Sequence, residues 1–249
     1  MLSWAEIIDL GVLIPFLALW IGYAMFARKA AKCRESLSSV LIILRIDWMR
    51  HLLERDNRIL DAALMGNIEK NMSFFASTTL LIIAGSLTAL TNAQSIHELT
   101  SLIPWVWPHT ITLVQVKVIT IICILIYAFF KFTWALRQYG FASVMIGAAP
   151  NSDDERATPE MKKVFSVNAG KLIDQAGHNF NNGMRAYYFA LSVVGWFIHP
   201  VLFLLFAVIV VRILYQREFK SRSLKTLVDG LSMSQYYLDN EVLKFKKDE

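Results

Sequence analysis

Residues 111–136 read Ile-Thr-Leu-Val-Gln-Val-Lys-Val-Ile-Thr-Ile-Ile-Cys-Ile-Leu-Ile-Tyr-Ala-Phe-Phe-Lys-Phe-Thr-Trp-Ala-Leu, 26 residues in which Lys117 and Lys131 are the only charges. A helix rises about 1.5 Å per residue, so this stretch outspans a hydrocarbon layer of about 30 Å. Three further stretches qualify as membrane segments: residues 6–26, 74–93 and 187–215. The rest of the composition agrees. Of 249 residues, 55% are hydrophobic and 18% charged, against roughly 45–50% and 25% in soluble domains. Disorder, collagen and a disulfide-stapled scaffold are excluded by hydrophobicity, by 11 Gly and by 2 Cys. The fold class read from this is all-α: a polytopic helical membrane protein with four membrane segments plus amphipathic cytoplasmic helices.

The first segment carries Glu6 and Asp9 rather than a basic leader, and Arg28, Lys29 and Lys32 follow it. It is therefore expected to be a retained span, not a signal peptide, and no lipidation motif accompanies it. Lys and Arg number nine in residues 27–73, none in 94–110 and six in 137–186. The positive-inside rule then places the N-terminus outside, which for a bacterial protein means a periplasmic N-terminus in the inner membrane. Trp105 and Trp107, beside Pro104 and Pro108, suit an outer segment resting in the membrane interface.

The C-terminal tail conflicts with this. It holds seven Lys/Arg from residue 216 onward, yet four spans leave it outside. A hairpin turning at His199-Pro200 would bring it back in. Short halves and the tolerance of spans for Pro favour one kinked span over residues 187–215, and the hairpin stands as the alternative. Residues 1–215 are read as one membrane domain and 216–249 as a basic and acidic tail.

Leu37, Leu41, Leu44, Trp48, Leu52, Ile59 and Ala63 recur near a 3.6-residue period, opposite Arg45, Arg50, Glu54, Arg55, Arg58 and Asp61. This predicts one long amphipathic helix over residues 36–70. It would lie on anionic lipid, pack on residues 137–186, or pair with another subunit. Residues 147–155 are turn-rich and acidic. After Pro159 a helical pattern resumes and runs toward the fourth segment.

Three stretches carry a resemblance. They are Arg58-Ile59-Leu60-Asp61-Ala62 leading to Phe74-Phe75-Ala76-Ser77-Thr78-Thr79; Lys131-Phe132-Thr133-Trp134-Ala135-Leu136-Arg137-Gln138-Tyr139; and Phe180-Asn181-Asn182-Gly183-Met184-Arg185-Ala186-Tyr187-Tyr188-Phe189-Ala190 with Trp196 and Pro200. Over roughly residues 10–220 the chain resembles a family of bacterial and plant multi-pass membrane proteins catalogued as a domain of unknown function, number 599. The resemblance implies a bacterial inner-membrane protein and supplies no activity.

Ionisable groups inside spans are costly and mark candidate sites. Asp9 and Lys117 enter their spans from the same side and are expected to pair, either as a structural ion pair or as part of a gate. His199 sits near the middle of the fourth segment beside Pro200, bonded to a neighbouring helix or poised to relay protons. Thr78, Thr79 and Ser86 give the second span a polar, small-residue face suited to close helix contact. His178, Asn182 and Arg185 gather where residues 137–186 meet the membrane, as caps and snorkelling groups or as a polar mouth. Asp47/His51 and Asp174/His178 each share a helical face and form a weak set of metal ligands. No cofactor is implied.

Walker A, G-x-G-x-x-G, H-E-x-x-H and G-x-S-x-G are absent, so no enzyme is expected. Cys33 and Cys123 lie too far apart along the layout to pair. Basic residues alternate with acidic ones, so the pI of 9.2 reflects orientation rather than nucleic-acid binding. No internal repeat of the transporter kind is visible. The two readings that remain are an oligomeric channel or transport-like protein and a non-transporting scaffold for lipid or protein partners. The first is preferred, and a homo-oligomer in contact with anionic lipid is expected in either case.

Overall fold

A computed structural model describes residues 4–231 of the chain, apart from the side chains of Ala5, Lys32 and Cys33. Every regular element among them is helical. In chain order these are α1 (Trp4–Gly11), α2 (Leu13–Cys33), α3 (Leu37–Glu54), α4 (Ile59–Thr91), α5 (Ala93–Ser101), α6 (Ile111–Gly147), α7 (Pro159–Val194), a single 3₁₀ turn (Gly195–Phe197), α8 (Pro200–Phe219) and α9 (Arg222–Leu231). Four stretches are long and apolar enough to cross a membrane: Glu6–Ala31, Ile59–Thr91, Ile111–Gly147 and Pro200–Leu231.

The chain divides into two compact units, so the single domain read over residues 1–215 is subdivided. Among the described residues, unit 1 holds residues 4–27, Phe75–Lys131 and Asn182–Tyr215. Unit 2 holds Arg28–Phe74, Phe132–Asn181 and residues 216–231.

In unit 1 the partners of α1 and α2 reveal the path of the fourth segment. Contacts with α7 run backwards along the chain. The Arg185 guanidinium lies 5.7 Å from the Tyr23 ring, Phe189 packs on Trp20 and Phe16, and Trp196 reaches Asp9. Contacts with α8 run forwards, Phe203 on Phe16 and then Tyr215 beside Phe26. The end of α7 and α8 are therefore antiparallel, and the single kinked span expected over residues 187–215 is replaced by a reversal at residues 195–199. Gly195 makes the reversal tight, because a Cβ there would stand 2.7 Å from the Phe206 ring. Pro200 starts α8, where its missing N–H costs nothing. The fourth apolar stretch begins at that proline, and residues 187–194 are the last turns of α7.

Unit 2 corrects the helix expected over residues 36–70. It breaks after Glu54, with Arg55 extended at φ −92°, ψ 135°, and Asn57 Oδ1 accepts the Ile59 N–H as α4 begins. Trp48 Nε1 and Arg55 both donate to the buried Asp61 carboxylate, at 2.7 and 2.6 Å. A straight helix would hold Trp48 and Asp61 about 20 Å apart, so this carboxylate folds α3 back on α4. Arg58 then donates to the carbonyls of Ala149 and Pro150, just past the end of α6, where a cation suits the helix dipole.

Of the three roles offered for the amphipathic stretch, packing on residues 137–186 is the one seen. Met49, Leu52 and Leu53 enter a core with Met65, Tyr139, Ile146 and Ile173, while Val40 lies in a second cluster with Leu224 and Leu231 of α9. Because α3 is covered on two sides, its buried residues do not follow the single stripe expected, and Ile59 and Ala63 are exposed. The first part of the tail is also built in. Glu218 is buried and accepts from the backbone and hydroxyl of Ser38, at 3.1 and 2.6 Å. Residues 232–249 of the tail lie outside the described residues.

Helices α3 and α7 touch backbone to side chain at Gly170, where an added Cβ would sit 2.7 Å from Ile46 Cα. Gly170→Ala should therefore lower the melting temperature of the solubilised protein, at a cost of about 1–3 kcal/mol. Gly66→Ala, whose Cβ meets nothing, should leave it unchanged or raise it slightly.

Candidate functional site

The pairing expected between Asp9 and Lys117 is present. Lys117 Nζ stands 3.0 Å from Asp9 Oδ2, and both side chains have no exposed surface. The other carboxylate oxygen accepts a 2.7 Å bond from Trp196 Nε1. Trp196 is itself fully buried and stacks on Phe203 at 4.9 Å, and the Lys117 ammonium lies 5.5 Å from its ring centre. One carboxylate thus joins α1, α6 and the turn after α7. The group is neutral overall, as its apolar surroundings require. Trp196 was visible in the sequence without a role, since nothing there showed the chain reversing to bring it to Asp9.

His199 belongs to this end of unit 1 and not to the middle of a span. Its Nδ1 accepts the Val201 N–H at 3.1 Å, capping the start of α8, and its ring meets Trp107 edge-on at 5.0 Å. The Trp107 backbone N–H in turn donates to the Ile198 carbonyl at 2.9 Å. Next to it, His109 Nδ1 donates to the Trp107 carbonyl at 2.8 Å, and Nε2 takes the Thr100 hydroxyl at 3.0 Å. His97 packs edge-on against His109.

The remaining candidates do not assemble into one polar face. Thr79 is buried, donates to the Phe75 carbonyl and accepts from the Tyr187 hydroxyl. Ser86 bonds the Ile82 carbonyl of its own helix, and Thr78 is half-buried. Asn182 Oδ1 accepts from Arg185 at 3.3 Å, whereas His178 lies in unit 2, 3.3 Å from Asp174.

The weak metal set is not gathered either. Asp174 is paired with Arg45, Asp47 with Arg50 at 3.1 Å, and His51 Nδ1 lies 3.0 Å from the Asp47 carbonyl. Among the described residues no group of three or more His, Cys, Asp or Glu could hold a metal ion. Several contacts had no sequence signal at all, including Arg45–Asp174, Ser143 to Glu69 and Asn179 to Gln138. Each joins helices far apart in the chain.

A helical chain with four stretches apolar enough to span, and with Asp9 and Lys117 buried as an ion pair, is a multi-pass membrane protein. It belongs to the family described as protein of unknown function, DUF599, which matches residues 12–223. No curated protein and no solved structure matches the chain.

Two predictions follow from this geometry. Lys117→Met and Asp9→Asn should each cost about 3–5 kcal/mol by stranding a buried partner, and the double variant should lose much less than the sum. Additive losses in thermal melts would sink the pairing. Burial holds the His109 imidazole below its ordinary 6.5, with Lys117 and His97 pushing the same way and the Trp107 carbonyl and Asp9 opposing. The unfolded chain therefore takes up the proton first, and this contribution to stability is full above pH 6.5 and lost as the pH falls below it. Between about pH 7.5 and about pH 5 the wild type should lose melting temperature more steeply than His109→Gln.

Proposed function

We propose that the chain is a non-transporting membrane scaffold, with unit 2 as its cytoplasmic working part and no catalytic role. The observation that carries this reading is that the buried ion pair of unit 1 and several of its other polar side chains are partnered within the protein. Asp9 takes Lys117 and Trp196, Thr79 takes Tyr187, and Arg185 lies against Asn182 and Tyr23. A conducting path would need such groups turned toward water or a substrate. Unit 2 is tied together by ion pairs and an apolar core. Anionic lipid is the expected surrounding, and the bacterial inner membrane the expected location.

The reversal at residues 195–199 supports an orientation. With α7 rising and α8 returning, an outer N-terminus leaves 22 Lys/Arg of the loops and tail on the cytoplasmic side and none outside. The charge conflict of a four-crossing layout disappears.

A second reading, an oligomeric channel or transport-like protein, is favoured by one observation. Ser77, Gly85 and Thr88 of α4 are exposed, where a homo-oligomer would turn them toward a shared axis.

A C-terminal reporter tests the orientation and should be active only in its cytoplasmic form, and flux separates the two readings. Purified protein in liposomes should pass ions and small solutes no faster than empty liposomes. A flux abolished by Thr88→Leu would overturn the scaffold in favour of the channel.

A further inference from the structure

Helix α5 keeps Ala93 buried and Ile96 half-buried, yet turns Leu99 outward. In a soluble helix the apolar side faces the core and the polar side faces water. Here Ala93, His97 and Thr100 face inward, with Ala93 buried and His97 and Thr100 against His109. The outward surface is divided. Gln94, Glu98 and Ser101 lie along one flank, with Gln94 donating to Glu98 at 2.9 Å. On the other flank Leu99 is 66% and Leu102 79% exposed, followed by Ile103 and by Trp105 at 77%.

Left in water, such apolar side chains forgo the favourable transfer of their surface out of it. The segment leaves α4 after one intervening residue, Asn92, and leads to α6, both apolar enough to span. It therefore sits where a bilayer's edge would be. Residues 71–116 contain no Lys or Arg, so attraction to anionic headgroups cannot hold it there. Apolar burial and an aromatic anchor of the interfacial kind are what remain.

We infer that α5 and residues 102–105 form an interfacial anchor. The Leu99/Leu102/Trp105 flank lies at the bilayer boundary between headgroups and acyl chains, and the Gln94/Glu98/Ser101 flank faces water. Seated in this way, the anchor fixes the depth of the α4–α6 connection and shields the His97–Thr100–His109 cluster from bulk water. The inference goes beyond the scaffold reading and rests only on the membrane placement of unit 1.

The test is spin labelling of the full chain, with Cys33 and Cys123 replaced by Ser, reconstituted in phosphatidylcholine nanodiscs. Single cysteines replace Leu99, Leu102, Trp105 and Glu98, and Leu81, which is 74% exposed on α4, serves as the membrane control. Oxygen should relax the labels at 99, 102 and 105 several-fold more strongly than a water-soluble nickel chelate, at depths of about 5–10 Å. The label at 98 should show the reverse. Nickel-accessible labels at 99 and 102, with position 81 still in lipid, would overturn the anchor while leaving the membrane placement intact. A label at 81 in water would overturn the placement itself. Spin–spin broadening at 102 that vanishes on dilution with unlabelled protein would assign the flank to a second copy and also overturn the lipid assignment. Variants that melt below the cysteine-free parent are set aside in favour of the neighbouring site, so the three positions keep the test decisive.

Discussion

Two opposite charges without contact to water have to find everything they need in each other and in the groups around them. Asp9 and Lys117 meet that condition. Removing each ion from water costs several kcal/mol, and only close geometry and further hydrogen bonds offset it. The carboxylate is completed by Trp196, and that bond constrains the chain well beyond the pair. Trp196 must stand at the level of Asp9, so the turn at Gly195–Phe197 is fixed there. From that level α8 can only return alongside α2, which is where Phe203 and Tyr215 are found. The ion pair thus sets the path of two helices besides the two that carry it.

Spans are legible because hydrocarbon demands about 20 apolar residues whatever the fold, and the Asp9–Lys117 pair was legible because both charges lie a similar depth from the same side. Direction was not. Hydropathy is the same for an apolar run that continues and one that doubles back, so residues 187–215 passed for one span. The punctuation was present in Gly195 and His199-Pro200, and the seven basic residues of the tail already argued for the return. The break between α3 and α4 had weaker marks, only Asp56 and Asn57 without Pro or Gly. What folds the chain there is Asp61 receiving Trp48 and Arg55, a long-range contact that periodicity does not register. The misplaced face of α3 has a related cause, since one stripe describes a helix with one neighbour and α3 has two sides covered.

Polar residues in a membrane helix pose a problem that the sequence states and the fold answers. Each must be satisfied, but the partner is not written beside it. Ser86 shows the local answer, a hydroxyl returned to a carbonyl one turn earlier, which any helix supplies. Thr79 adds a cross-helix partner in Tyr187. Neither needs water. A row of hydroxyls such as Thr78, Thr79 and Ser86 is therefore poor grounds for a conducting path by itself, since Thr79 and Ser86 are satisfied within the protein.

Sidedness carries the argument one step further than burial does. Exposure of Leu81 on α4 and of Leu102 beyond α5 is similar in amount, yet it differs in meaning. Along α4 apolar exposure lies among apolar neighbours, as in the interior of a bilayer. On α5 it is confined to one flank, with Gln94 and Glu98 on the other. A helix sorted in this way marks a boundary between two solvents. The inward side of α5 carries His97 and Thr100 beside Ala93 because a third environment, the His109 cluster, lies behind it.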